Sequence, residues 1–103
     1  MPPNLFRDVP TTPPAEEEIT TLHAGPACRI ERIVSFGHST DWYDQDEDEW
    51  VAVLTGEGVL EFADGSVRTM RPGDVEYLPR HCRHRVAATA ASEPTVWLAV
   101  FMQ

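Results

Sequence analysis

From Trp42 to the C-terminus, short apolar runs alternate with turn residues at close intervals. Trp50-Val51-Ala52-Val53-Leu54 reads as a buried run that stops at Thr55-Gly56-Glu57-Gly58. Val59 to Phe62 and Ser66 to Met70 flank Ala63-Asp64-Gly65, a composition typical of a hairpin connection. Arg71-Pro72-Gly73-Asp74 is a Pro-Gly turn, and Val75 to Leu78 is a short strand closed by Pro79. His84 to Thr89 and Thr95 to Met102 complete the set around a polar loop at Ser92-Glu93-Pro94. The last run is apolar on both faces, as a strand covered on both sides should be. Strands this short, punctuated this often, predict an all-β antiparallel sandwich or barrel.

The N-terminal part is less regular. Residues 1–15 hold five of the nine prolines and few apolar residues, so they read as an extended lead-in to a domain spanning residues 16–103. Glu16 to Leu22 admits two readings. Thr12-Pro13, the acids that follow and Gly25 would start and stop a short helix. The β-branched content of Glu18 to Leu22, joined through Ala24-Gly25-Pro26 to the run Arg29 to Phe36, favours a hairpin.

Length and charge narrow the function. A chain of 103 residues has one modest core. Seventeen acids against eight bases give a net charge of −9, which argues against nucleic acid or an anionic membrane as partner. All eight bases are arginines, so Schiff-base chemistry and a P-loop lysine are excluded. No apolar run approaches the ~20 residues of a membrane helix. The start Met1-Pro2-Pro3-Asn4 lacks the basic and apolar regions of a signal peptide, so a cytoplasmic protein is expected. Cys28 and Cys82 form no metal-binding or redox spacing, and counting leaves one disulfide open.

The turn and polar residues fall on two spaced patterns. From Gly37, five residues lead to Tyr43; Gln45, Glu49 and Gly56 follow at intervals of one, three and six residues. From Gly73, five residues lead to Pro79; His81, His84 and Ala88 follow at intervals of one, two and three. Over residues 29–102 the chain resembles the cupin family, whose two motifs run G-x5-H-x-H-x3-E-x6-G and G-x5-P-x-G-x2-H-x3-N. The resemblance implies a single-domain jelly-roll β-barrel and a small-molecule site at the barrel mouth. In typical cupins three histidines and the glutamate hold a divalent metal. Here Tyr43 and Gln45 stand at two histidine positions, His81 replaces a glycine and Ala88 the asparagine, so only Glu49 and His84 keep metal-binding identity.

Strand parity supports the same site. Glu49 shares a face with Val51, Val53 and Thr55; His84 shares one with Val86 and Ala88, while Arg83 and Arg85 point the other way. Tyr43 and Gln45 share a face too. Polar groups on otherwise apolar faces need partners, water or an ion, because burying each one unpaired costs roughly 1–3 kcal/mol. Two outcomes are open. In one, Gln45, Glu49 and His84 hold a divalent metal (Mn, Fe, Ni or Zn) as Lewis acid, with Glu49 as ligand or general base and Tyr43 as proton donor. In the other, Tyr43, Gln45, Glu49, His81 and His84 line a metal-free pocket that binds a small molecule without turnover. Whether the protein is an enzyme is left open.

Several residues have a plainer reading beside the chemical one. His38 reads as a surface histidine, His81 as a loop or mouth residue rather than a ligand, and the acidic run from Asp41 to Glu49 as a solvated hairpin tip. Arg80, Arg83 and Arg85 read as partners for acids. Cys82, set among Arg80, His81, Arg83 and His84, is either an inert core-facing cysteine or a thiolate with a depressed pKa that carries thiol chemistry. The stripe Trp50, Ala52, Leu54 is a candidate homodimer face.

Overall fold

The computed structural model describes residues 4–103; Met1, Pro2 and Pro3 of the expected lead-in lie outside the described residues. Eight strands follow one another: β1 (Glu18–Ala24), β2 (Cys28–Ser35), β3 (Asp48–Thr55), β4 (Gly58–Phe62), β5 (Val67–Met70), β6 (Val75–Leu78), β7 (His84–Thr89) and β8 (Thr95–Met102). Among the described residues no helix forms, so the stretch left open between helix and strand is β1. Its β-branched Ile19, Thr20 and Thr21 favour extended backbone, and pairing with β2 supplies the ladder bonds. No helix of the described residues is long and apolar enough to cross a membrane.

The strands form two antiparallel sheets: a five-stranded one in the order β1-β2-β8-β3-β6 and a three-stranded one in the order β5-β4-β7. β8 lies between β2 and β3, which explains its apolar residues on both faces. Its inward Trp97, Ala99 and Phe101 join Val51, Val53, Leu60, Met70 and Leu78 in the core. Outward, Val96 is 1% exposed, covered within the chain itself.

Register decides what shares the barrel interior. Arg29 pairs with Phe101, Phe101 with Glu49 and Glu49 with Leu78, so one row runs across β2, β8, β3 and β6. The next rows bring Glu31 beside Ala99 and Val51, then Ile33 beside Trp97 and Val53. One parity expectation fails. The β4–β7 register shifts between Val59 and Leu60, so Ala88 pairs with Val59 while Val86 pairs with Leu60. The bulge turns Ala88 off the His84 face, and it is exposed.

The lead-in lies on the sheet. One Arg32 guanidinium nitrogen donates to the carbonyl oxygens of Leu5 and Arg7, at 3.2 and 2.5 Å. His38 is no simple surface residue. Its Nδ1 accepts from the Phe36 amide at 2.8 Å, so Nε2–H donates to the Pro14 carbonyl at 3.0 Å and pins the same segment.

The motif glycines have physical causes. Gly56 turns at φ 83° with Thr95 against it, and a Cβ there would stand 2.4 Å from the Thr95 hydroxyl oxygen. Gly58 lets the Trp97 ring lie flat on β4, since a Cβ would fall 2.3 Å from a ring carbon. Gly58→Ala should therefore cost about 1–3 kcal/mol of unfolding free energy by overpacking, measured by urea denaturation. A variant as stable as the parent would mean that the Trp97 ring shifts freely, contrary to the packing described.

Candidate functional site

Alternation along the strands delivers a single lined cavity of about 160 Å³. Ile33, Val51, Leu60, Val86, Trp97 and Phe101 form its apolar walls, and Ile19 of the edge strand β1 closes one side. The polar lining is Glu17, Arg29, Glu31, Thr40, Tyr43, Gln45, Glu49 and His84; Arg29 and Glu49 share the Phe101 row, whereas Glu17 lies by Ser35 toward the other end of the strands. Four sequence candidates therefore meet, namely Tyr43, Gln45, Glu49 and His84. Arg29, Glu31 and Glu17 were not foreseen.

Glu49 and His84 are the buried members, 7% and 4% exposed. The His84 Nδ1 donates to the Cys82 carbonyl oxygen at 2.7 Å, which fixes the ring and aims Nε2 at Glu49. That Nε2 lies 3.8 Å from the Glu49 carboxyl, too far for a hydrogen bond. The two groups thus face the cavity without a hydrogen bond to each other. Burial, then the nearby Glu31 carboxylate, push the Glu49 carboxyl up to about 7, against the opposing pull of Arg29. Arg29 lies over the Phe101 ring at 4.3 Å. Its Nε donates to Glu31 at 2.9 Å, and its two terminal nitrogens donate to Glu47 at 3.1 and 3.2 Å. The cation is therefore already shared between two carboxylates.

Tyr43 does not come from a named strand. It bridges His84 through its backbone amide, 2.7 Å from the His84 carbonyl oxygen, and a return bond of 3.1 Å. The two rings lie 5.7 Å apart. Burial, then the Glu17 carboxylate, raise the phenol pKa, which keeps its proton in place. Gln45 lines the cavity from the same loop. His81 does not line it. At φ 62° in the glycine position of the motif, its exposed ring lies between Asp44 at 2.8 Å and Asp46 at 3.2 Å. Its amide also donates to the Gln45 carbonyl oxygen at 2.7 Å. The residue placed by spacing among the ligand contacts instead ties down the loop that carries Tyr43 and Gln45.

The donors do not fit a tightly held metal. His84 Nε2 and one Glu49 oxygen are the strong ligands, with a phenol and an amide beside them. Among the described residues no group of three or more histidine, cysteine and acidic side chains could hold an ion.

A model of the cupin domain matches residues 32–101. The chain belongs to the cupin family. Among solved structures, it is similar to a candidate mannose-6-phosphate isomerase from Ralstonia eutropha JMP134, with 45% identity and a TM-score of 0.93 over 100% of this chain and 98% of that one. A cupin superfamily protein from Desulfitobacterium hafniense DCB-2 is 21% identical, with a TM-score of 0.75 over 85% of this chain and 78% of that one. A cupin 2 conserved barrel domain protein from Leptotrichia buccalis is 24% identical, with a TM-score of 0.74 over 86% and 42%. No curated protein matches the chain. The jelly-roll barrel that the motif spacing implied is the fold of this cupin.

The remaining sequence candidates resolve into pairings. Arg80 pairs with Asp48 at 3.4 Å and Arg85 with Glu61 at 2.5 Å, while Arg83 and Arg85 both lie over the Trp42 ring. The acidic run is not simply a solvated tip, because Glu47, Asp48, Asp44 and Asp46 each hold a basic side chain and Glu49 enters the cavity. Cys28 and Cys82 are both free thiols. The depressed pKa considered for Cys82 is overturned: burial, then Glu76 and Asp64, raise it, and the thiol packs against the core.

The raised Glu49 pKa has a stability consequence. The folded carboxyl binds its proton more tightly than the unfolded one, so stability falls as pH rises from about 4.5 through about 7. The loss is on the order of 3 kcal/mol and is complete above the folded pKa. Glu49→Gln should remove that slope and leave the variant more stable than the parent near pH 8. Urea unfolding of both proteins across this range is the check, and parallel pH profiles would rule the assignment out.

Proposed function

We propose that this cupin binds a small molecule in its barrel cavity, without a metal, and presents Glu49 and His84 to it as an acid–base pair. The observation that carries this reading is the pair itself: a carboxyl near pKa 7 and an oriented imidazole, both buried, at the polar end of an apolar cavity. A carboxyl poised near neutrality donates or accepts a proton at little cost. Tyr43, its phenol pKa raised, is a second proton donor at the mouth. Residues of this kind serve proton transfer on a bound substrate and equally the hydrogen bonding of a ligand that is never turned over. The likeness to a candidate mannose-6-phosphate isomerase makes sugar isomerisation the first turnover to assay. It gives no support to phosphate binding here, because Arg29 is already held by Glu31 and Glu47.

A bound divalent metal (Mn, Fe, Ni or Zn) is the second reading. One observation favours it: the Nδ1 bond to a carbonyl oxygen leaves Nε2 aimed inward, as metal-binding histidines are commonly held. The scarcity of strong donors favours the first reading. A homodimer belongs to the same proposal. Trp50 and Ala52 pair with Tyr77 and Val75 on the outer sheet face, where Tyr77 is 53% and Val75 44% exposed, and a second copy of this face would cover them.

Plasma mass spectrometry on protein purified without a metal-affinity tag, paired with thermal unfolding in a chelator, separates the two site readings. Ligand-induced stabilisation that survives the chelator and is lost in His84→Ala and Glu49→Gln is the expected result, with metal far below one equivalent per chain. Near-stoichiometric metal that disappears in His84→Ala would replace the first reading with the second. Light scattering at micromolar concentration should report a dimer that Tyr77→Glu converts to monomer.

A further inference from the structure

Within the proposed binding function, the charge around the cavity narrows the ligand. Glu17, Glu31 and Glu49 line it against a single cation, Arg29, whose donors are taken by Glu31 and by Glu47 from outside the cavity. Among the described residues no arginine pairs with Glu17 or Glu49. Glu17 accepts only the Ser35 hydroxyl at 3.0 Å, and Ser35 in turn accepts from the Trp97 ring nitrogen at 3.2 Å. The Glu49 side chain is 10% exposed, lines the cavity, and has no donor within hydrogen-bond distance. An ionised carboxylate in that position calls for a positive charge or a strong donor, since its isolated burial is heavily penalised. The adjoining walls are aromatic, with Phe101, Trp97 and Tyr43 presenting faces or edges to the space. Such faces attract cations, as Arg29 over Phe101 already shows.

We infer that the cavity takes a small organic cation, an ammonium group on an apolar body, with the ammonium at the Glu49 carboxylate and the body along Phe101 toward Trp97. An anionic ligand meets the opposite arrangement. A phosphate or carboxylate beside Glu49 would face that carboxylate and Glu31 and find the one guanidinium already bound. A neutral alcohol would satisfy a carboxyl by hydrogen bonding and would gain nothing from the field.

The test compares isosteric probes on the whole protein in a chelator near pH 8, followed by thermal shift and titration calorimetry. Benzylammonium, benzyl alcohol and benzyl phosphate differ in charge at one end of the same body. Benzylammonium should bind about tenfold more tightly than the alcohol, and benzyl phosphate should not bind. Glu49→Gln keeps an oxygen acceptor at the same point and removes the charge, so it should bring benzylammonium down to about the affinity of the alcohol. Its thermal unfolding without probe shows whether the fold is intact. Alcohol or phosphate binding as tight as the ammonium would overturn the inference. If that binding were still lost in His84→Ala, the cavity would remain the binding site and only the charge preference would fall. Failure of all three probes to bind would overturn the inference too, and sugar-dependent stabilisation lost in His84→Ala would then still uphold the cavity reading.

Discussion

One carboxyl group constrains everything around it. Glu49 lies in register between Phe101 and Leu78, on the inward face of a strand whose next inward residues are Val51 and Val53. Among the described residues no hydrogen-bond donor reaches it, and the His84 imidazole nitrogen lies 3.8 Å away. A fold minimising its own free energy would put an apolar residue here, because an unpaired buried polar group opposes folding. On the proposed reading, the retained acid is met by something that enters the cavity. Trp97 and Phe101 close the apolar side, and the loop bearing Tyr43 and Gln45 covers the polar side.

That loop is held by backbone bonds from Tyr43 to His84 of β7 and, beyond them, by side chains. His81 adopts φ 62°, a conformation that disfavours any residue with a Cβ, at the position where the family motif has glycine. Its imidazole contacts Asp44 and Asp46, and its amide reaches Gln45, so the local strain is set against bonds that fix the loop over the cavity. Arg80 does the same for Asp48, through its backbone amide at 2.8 Å and its guanidinium. Asp44, Asp46 and Asp48 thus serve as anchors, and Arg80 and His81 are what they anchor to. Two segments more than thirty residues apart in sequence jointly shape one mouth.

Local signals carried the strands and the spacing carried the fold. The runs Val75 to Leu78, His84 to Thr89 and Thr95 to Met102 were legible to the residue; Asp74 and Pro79 bound the first and Pro94 opens the last. Glu49 and His84 were legible as a pair because both kept their motif positions. Arg29 and Glu31 were not. Both parities of β2 carry charge and apolar side chains, Arg29 and Glu31 with Ile33 on one face, Arg32 with Ile30 and Val34 on the other. Only the pairing of Arg29 with Phe101 reveals which face is inside. Ala88 failed for a related reason, since parity counted along a strand does not survive a bulge. His81 had the right spacing, but a left-handed residue sends its side chain away from the line that spacing implies.

The departures from the family motif also act together. Replacing two imidazoles by Tyr43 and Gln45 removes the strong ligands that would hold a cation in the barrel, yet the glutamate that would share that cation remains. Its negative potential is then reinforced by Glu31 and Glu47 and only partly offset by Arg29, which both of them hold. Neutralising Glu49 by protonation is one resolution, and its position near pKa 7 shows how evenly balanced that is. The other is a positive charge supplied by the ligand. A site built to coordinate a metal and a site built to attract an organic cation need the same carboxylate at the same point of the barrel. What separates them is whether the neighbouring side chains offer lone pairs or aromatic faces. Here the neighbours are Phe101, Trp97 and Tyr43.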